Sequence, residues 1–193
     1  MQPLLLLALL AQGATPGETA TFAGGCFWSM QAAFEKVPGV VKVTAGFTGG
    51  ETRNPTYELV SMGVTGHAES VEVVFDPARV TYDHLLDVFW HNIDPTQAGG
   101  QFCDRGGEYR TAVFYHGEAQ RLAAEASKKT IEDSGRLKGP VLTQIVPASA
   151  FYAAEEYHQD FYRKNPLRYQ EYRAACGRDH RLKDVWGDAA GSH

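Results

Sequence analysis

The chain has 193 residues, enough for one domain with a sizeable core, and no composition shift divides it in two. A formal charge of −5 disfavours general nucleic-acid binding, and an apolar fraction of 44% is too high for a disordered chain. Its 3 cysteines are too few to staple a fold of this size, and their odd number leaves one thiol free or paired outside the chain.

Pro3 to Ala11 is a leucine-rich run too short to span a bilayer, with the length of a secretory h-region. Ala11-Gln12-Gly13 offers the small residues of a cleavage site before Ala14, although no Lys or Arg precedes the run. Residues 1–13 are therefore expected to be a signal peptide on an exported (periplasmic or extracytoplasmic) protein. An uncleaved anchor or a buried N-terminal segment is the alternative. Residues 14–193 form the expected single domain, with a core over about 19–166 and a tail over 167–193.

Glu18 to Ala23 is short and β-tolerant, and Gly24-Gly25 breaks it just before Cys26. Phe27, Met30, Phe34 and Val37 then repeat at the spacing of one helix face. A cysteine between a strand end and a helix start meets unpaired N–H groups and the positive end of the helix dipole. That placement is expected to stabilise a thiolate and lower the thiol pKa from about 8.5. The competing reading is a buried cysteine acting as a small apolar filler.

Val37-Pro38-Gly39-Val40 stops this helix. Val41, Val43, Ala45 and Phe47 alternate with Lys42, Thr44 and Gly46 as in a strand with one buried face. Thr48 to Tyr57 reads as a loop, Gly63 to Gly66 as a flexible stretch, and Ser70 to Phe75 as a strand ended by Asp76-Pro77. Thr81 caps an expected helix over Tyr82 to His91, with Leu85, Leu86, Val88 and Phe89 inward. A glycine-rich loop over Gly99 to Gly107 carries Cys103 and precedes a strand over Thr111 to Tyr115. Glu118 to Asp133 is expected as a surface helix, Val141 to Val146 as a strand, and Ala153 to Lys164 as a helix stopped by Asn165-Pro166. Basic residues between Arg163 and Lys183 read as a solvated helix face, with docking of an acidic partner surface as the weaker option. Elements in this order predict an α+β fold, a two-layer sandwich with a mixed sheet and a long irregular C-terminal tail.

Gly25-Cys26-Phe27-Trp28, Ala45 to Gly50, Asn54-Pro55-Thr56-Tyr57, Gly66-His67-Ala68-Glu69 and Gln101 to Gly106 together resemble, in order, the signature blocks of the A-type peptide methionine sulfoxide reductases. Tyr157-His158-Gln159 and Lys164-Asn165-Pro166 are similar to a later segment of that family, so the likeness covers roughly Thr21 to Trp186. Gln31 stands where the first block more often has Glu, and Glu108 where the family more commonly has Gln. The latter looks harmless on a loop. The resemblance implies a ferredoxin-like core and thiol-dependent reduction of methionine S-sulfoxide, peptide-bound or free. It implies no cofactor, and a monomer that meets oxidised proteins or peptides and a thioredoxin-like reductant. A metal is not expected, since the chain has no Cys-x-x-Cys pair and no two histidines at i, i+4 spacing.

The residues can be held against what that reaction needs. The oxygen of a sulfoxide leaves poorly unless protonated, so an acid must sit beside the thiolate. Glu69 matches the family's acid, a role that requires burial to raise its pKa, whereas by itself it reads as a solvated loop carboxylate. Tyr57 and Tyr109 match two phenols that donate to the sulfoxide oxygen, and in isolation they read as packing residues. Asp104 matches an orienting polar residue, and Phe27 and Trp28 an apolar wall for the sulfoxide methyl group. Attack would leave Cys26 as a sulfenic acid, which a second thiol condenses to a disulfide. Cys176, in a tail expected to be mobile and so suited to disulfide exchange, is the expected resolving thiol ahead of Cys103, which in extended chain would face the core if its neighbour Asp104 faces the site. Three rivals remain: a cysteine hydrolase with His67 or His158 as base, a thiol-disulfide relay, and a binding module using the Phe27-Trp28 pocket.

Overall fold

Alternating apolar positions bounded by glycine and proline turns resolve into a mixed sheet in the computed structural model, which describes residues 17–193. The segment read as a signal peptide lies outside the described residues. In chain order the elements are β1 (Glu18–Gly24), α1 (Phe27–Phe34), β2 (Val40–Thr48), α2 (Tyr57–Ser61), β3 (Ala68–Phe75) and α3 (Tyr82–His91). They continue with β4 (Gly100–Gln101), β5 (Asp104–Arg105), β6 (Thr111–Tyr115), α4 (Glu118–Asp133), β7 (Gln144–Pro147) and β8 (Tyr152–Ala153). The chain closes with α5 (Phe161–Lys164), α6 (Pro166–Ala175) and α7 (Arg178–Trp186).

The main sheet runs β7-β6-β1-β3-β2-β8 and is antiparallel except where β6 meets β7. Within it β1, β2, β3 and β6, joined by α1 and α3, make the split β-α-β unit of a ferredoxin-like core. The helix layer is held by stacked rings: Phe22 lies 4.9 Å from Phe34 and 5.2 Å from Phe89. Thr81 caps α3 as its sequence suggests, its side chain accepting from the His84 N–H at 3.2 Å.

The tail departs from expectation: it is helical and docked. Its sequence carries a signal that the charges obscure, since Arg178, Leu182 and Trp186 recur every fourth residue and all are buried. Trp186 donates its indole N–H to the Ile93 carbonyl at 2.8 Å. Burial of the apolar Leu182 side chain contributes about 1.5–3 kcal/mol. The Arg178 guanidinium donates to the carbonyls of Gly24 at 3.1 Å and Asn92 at 2.7 Å, and lies 4.5 Å from the Phe102 ring centroid. The basic run is thus not a uniformly solvated face.

Two other segments also differ. Ala153 to Lys164 is not one helix, because Asp160 takes a left-handed φ of 55° and ends the regular path before α5. Its N–H donates to the Gln31 Oε1 at 3.0 Å, while Gln31 Nε2 donates to the Val43 carbonyl at 3.1 Å, so Gln31 is a buried strut. The strand expected over Val141 to Val146 begins only at Gln144. Among the described residues, no helix is long and apolar enough to cross a membrane.

Candidate active site

Cys26 is the N-cap of α1, and its carbonyl accepts from the N–H groups of Ser29 at 3.1 Å and Met30 at 3.4 Å. The preceding glycines have no substitutes. Gly25 has φ 78°, and a Cβ there would lie 2.6 Å from the Gln101 Cβ. A Cβ on Gly24 would lie 2.5 Å from the Met30 sulfur. Cys26 is therefore fixed at the floor of a cavity of 310 Å³, only 5% exposed.

The cavity gathers Phe27, Trp28, Tyr57, Glu69, Asp104 and Tyr109 around Cys26. Each comes from a different local device. Glu69 lies on β3 opposite Phe47 of β2, and its Oε2 accepts from the Phe27 N–H at 3.0 Å. Tyr57 opens α2, a short helix that begins at the last residue of the segment read as loop, and its N–H donates to Glu155 Oε1 at 2.9 Å. Asp104 enters on β5, and Tyr109 ends a 3-10 turn over Gly107–Tyr109. Trp28 stacks on Phe161 with centroids 3.8 Å apart and donates its indole N–H to His158 Nδ1 at 3.2 Å.

Burial dominates the electrostatics. It pushes the Glu69 carboxyl up to about 8, against the Phe27 N–H that favours its charge, with Asp104 and Glu108 adding in the same direction. Glu108 is thus no inert loop residue: it is buried beside Gly106 and its charge acts on the Glu69 carboxyl. Burial, followed by the Glu69 charge, pushes the Cys26 thiol up to about 12, which reverses the lowered pKa expected from the helix start. The physical reason is that loss of water around the buried thiol and the nearby Glu69 charge outweigh the backbone N–H of Trp28, which favours the thiolate. Burial likewise pushes Tyr57 up to about 12 and raises Tyr109, so both phenols keep their protons.

Tyr172 of α6 and Arg168 complete the lining, and sequence reasoning passed over both. The Tyr172 hydroxyl donates its one proton to Asp104 Oδ2 at 2.6 Å, and turning that proton to Cys26 instead is the largest influence drawing the thiol pKa down. Tyr172→Phe should raise the thiol pKa further and slow single-turnover chemistry roughly tenfold, the usual scale of a hydrogen bond to a charged group. An unchanged alkylation rate of Cys26 across pH would remove Tyr172 from this role.

Cys176 is not in the cavity; it is joined to Cys103, with Cα atoms 4.9 Å apart. Cys103 does not face the core but is exposed. The assumption of extended chain fails here because Phe102 has φ 57° and the chain turns between β4 and β5. Gln97 locks that turn, accepting from the Phe102 N–H at 2.7 Å and donating to its carbonyl at 3.1 Å. The two sulfurs and an Asp104 carboxylate oxygen lie within 4.8 Å of one another, so Asp104 adjoins both the disulfide and the Cys26 cavity that it lines. The free thiol among the described residues is Cys26.

A hydrolase would need an imidazole at the thiol. His67 is instead held by the Gly50 N–H at 3.1 Å and the Thr52 carbonyl at 2.8 Å, and His158 accepts from Trp28 behind the cavity wall. Neither lines the cavity.

Residues 18–190 match the family described as peptide methionine sulfoxide reductase. The chain is 54% identical over 170 residues to the peptide methionine sulfoxide reductase MsrA of Bacillus licheniformis, covering 88% of this chain and 94% of that protein. Among solved structures, methionine sulfoxide reductase A of Corynebacterium diphtheriae is 37% identical with a TM-score of 0.71, over 82% of this chain and 79% of that one. Reduced Mxr1 of Saccharomyces cerevisiae is 31% identical with a TM-score of 0.73, over 78% and 87% respectively. Mxr1 in complex with Trx2 aligns over 76% of this chain and 85% of that one, at 24% identity with a TM-score of 0.54, and bears on the fold alone.

Proposed function

Since the chain belongs to the peptide methionine sulfoxide reductase family, we propose that it reduces methionine sulfoxide in peptides with Cys26 as nucleophile and Glu69 as acid. The observation that carries this reading is one small cavity holding the thiol, a protonatable buried carboxyl and two un-ionised phenols. The Cys26 sulfur bonds to the sulfoxide sulfur while Glu69 gives its proton to the oxygen, with Tyr57 and Tyr109 donating to that oxygen as charge grows on it. Phe27 and Trp28 receive the methyl group. Methionine departs and Cys26 keeps the oxygen as a sulfenic acid.

Cys176 follows Tyr172 by four residues, its N–H donating to the Tyr172 carbonyl at 2.9 Å, so both share one helix face, and its sulfur lies within 4.8 Å of an Asp104 oxygen. We assign it the attack on the sulfenic acid, with water released. Exchange with Cys103 then returns Cys26 as a thiol and leaves the disulfide at the surface, where a thioredoxin-like dithiol can reach it. The proposal extends to an exported protein, a reading that rests on the leucine-rich run Pro3 to Ala11 alone, working as a monomer on oxidised proteins.

One experiment addresses the sequence of steps. Cys176→Ser, given excess sulfoxide peptide and a dithiol protein as reductant, should release about one methionine per enzyme and stop with Cys26 oxidised. Sustained turnover by that variant would remove Cys176 from the resolving role.

A further inference from the structure

Cations on the α5–α6 segment are matched to acids of the same chain with one exception. Arg163 pairs with Glu35 at 2.9 Å, Lys164 with Glu156 at 2.8 Å, and the Arg173 Nε donates to Asp179 at 2.9 Å. Arg168 has no acidic partner among the described residues, and it lines the mouth of the Cys26 cavity. Its guanidinium lies 5.8 Å from the Phe161 ring centroid, and Phe161 in turn stacks on Trp28. The stack holds the guanidinium beside the wall that receives the sulfoxide. No other cation lines this cavity, and its two carboxyls are already engaged, Glu69 by the Phe27 N–H and Asp104 by Tyr172.

A peptide whose sulfoxide reaches Cys26 must lay its neighbouring residues across that mouth. An unpaired guanidinium there suits a carboxylate, which it can meet with two parallel hydrogen bonds. From this geometry we infer that Arg168 makes the enzyme select methionine sulfoxide flanked by acidic residues. The selection acts on binding of the peptide, not on the chemical step, because Arg168 stands at the rim while the reacting sulfur lies at the floor. The inference rests on the assignment of Cys26 as the sulfoxide-reducing thiol.

The test compares three peptides that differ only in the residues on both sides of the sulfoxide: aspartate, alanine or lysine. For the intact chain, kcat/KM for the aspartate peptide should exceed that for the lysine peptide roughly three- to tenfold at low salt, mostly through KM, and the ratio should shrink at high salt. Arg168→Gln should bring the ratio close to one, and Arg168→Glu should invert it. A ratio near one in the intact chain, or a ratio unchanged by Arg168→Glu, overturns the inference. Failure of the underlying assignment looks different, since none of the three peptides, the alanine peptide included, would then be reduced.

Discussion

Cys26→Ser should lower methionine release from a sulfoxide peptide by at least about 10⁴-fold, to the level of buffer containing the reductant alone. A serine hydroxyl in the same buried position is a far weaker nucleophile than a thiolate, and it cannot retain the oxygen as a sulfenic acid. The variant should fold, because Cys26 is a helix N-cap, where serine is a favoured residue, and the Gly24-Gly25 turn is untouched. The assay is chromatographic detection of methionine under single-turnover conditions. Residual activity that survives Cys26→Ser and disappears in Cys176→Ser would move the nucleophile from the cavity to the surface pair.

Glu69→Gln should slow the first chemical step by roughly 10²–10⁴, since glutamine keeps the acceptor for the Phe27 N–H and loses the proton. The pH profile makes the assignment sharper. The reactive form holds a thiolate and a protonated carboxyl together, and the two groups are raised to about 12 and about 8. Below pH about 8 the carboxyl stays protonated and thiolate grows tenfold per unit, so the rate should climb. Above it, gain of thiolate and loss of acid cancel, and the rate should level off. In Glu69→Gln no acid is lost, so the slower rate should keep climbing through the same range. Quenched-flow measurement between about pH 6 and 9.5 distinguishes the two shapes, and a break near 8 that persists in Glu69→Gln would assign it to another group.

Much of the frame was legible in the chain. Alternation gave β2 from Val43 onward, whereas Val41, expected on the buried face, is 67% exposed because the register shifts between Val40 and Lys42. A Thr cap and an inward apolar face gave α3, and the glycine pair placed Cys26 between a strand and a helix. Those signals are local, set by backbone sterics and side-chain period. The ordered blocks that carry Cys26, Tyr57, Glu69 and Asp104 were legible too, though only as a likeness. Nothing in the immediate sequence of Glu69 says that its carboxyl is buried.

Three features escaped local reading. Phe102 adopts a left-handed conformation that few side chains favour, held by Gln97 and by the Arg178 guanidinium, and this turns Cys103 outward. Tyr172 reaches Asp104 across a sequence separation of 68, beyond what any window reveals. The docked tail was hidden because its basic residues outnumber the apolar ones that fix it.

The sequence by itself determined where strands and helices form, which residues make the tight turn at Cys26, and which residue types the chemistry can draw on. Tertiary structure alone decided their protonation. Desolvation, which grows as the sheet, α1 and α6 close around one cavity, raises the pKa of both Glu69 and Cys26 and favours their protonated forms. Burial is a property of the whole packed chain, and no spacing of residues encodes it.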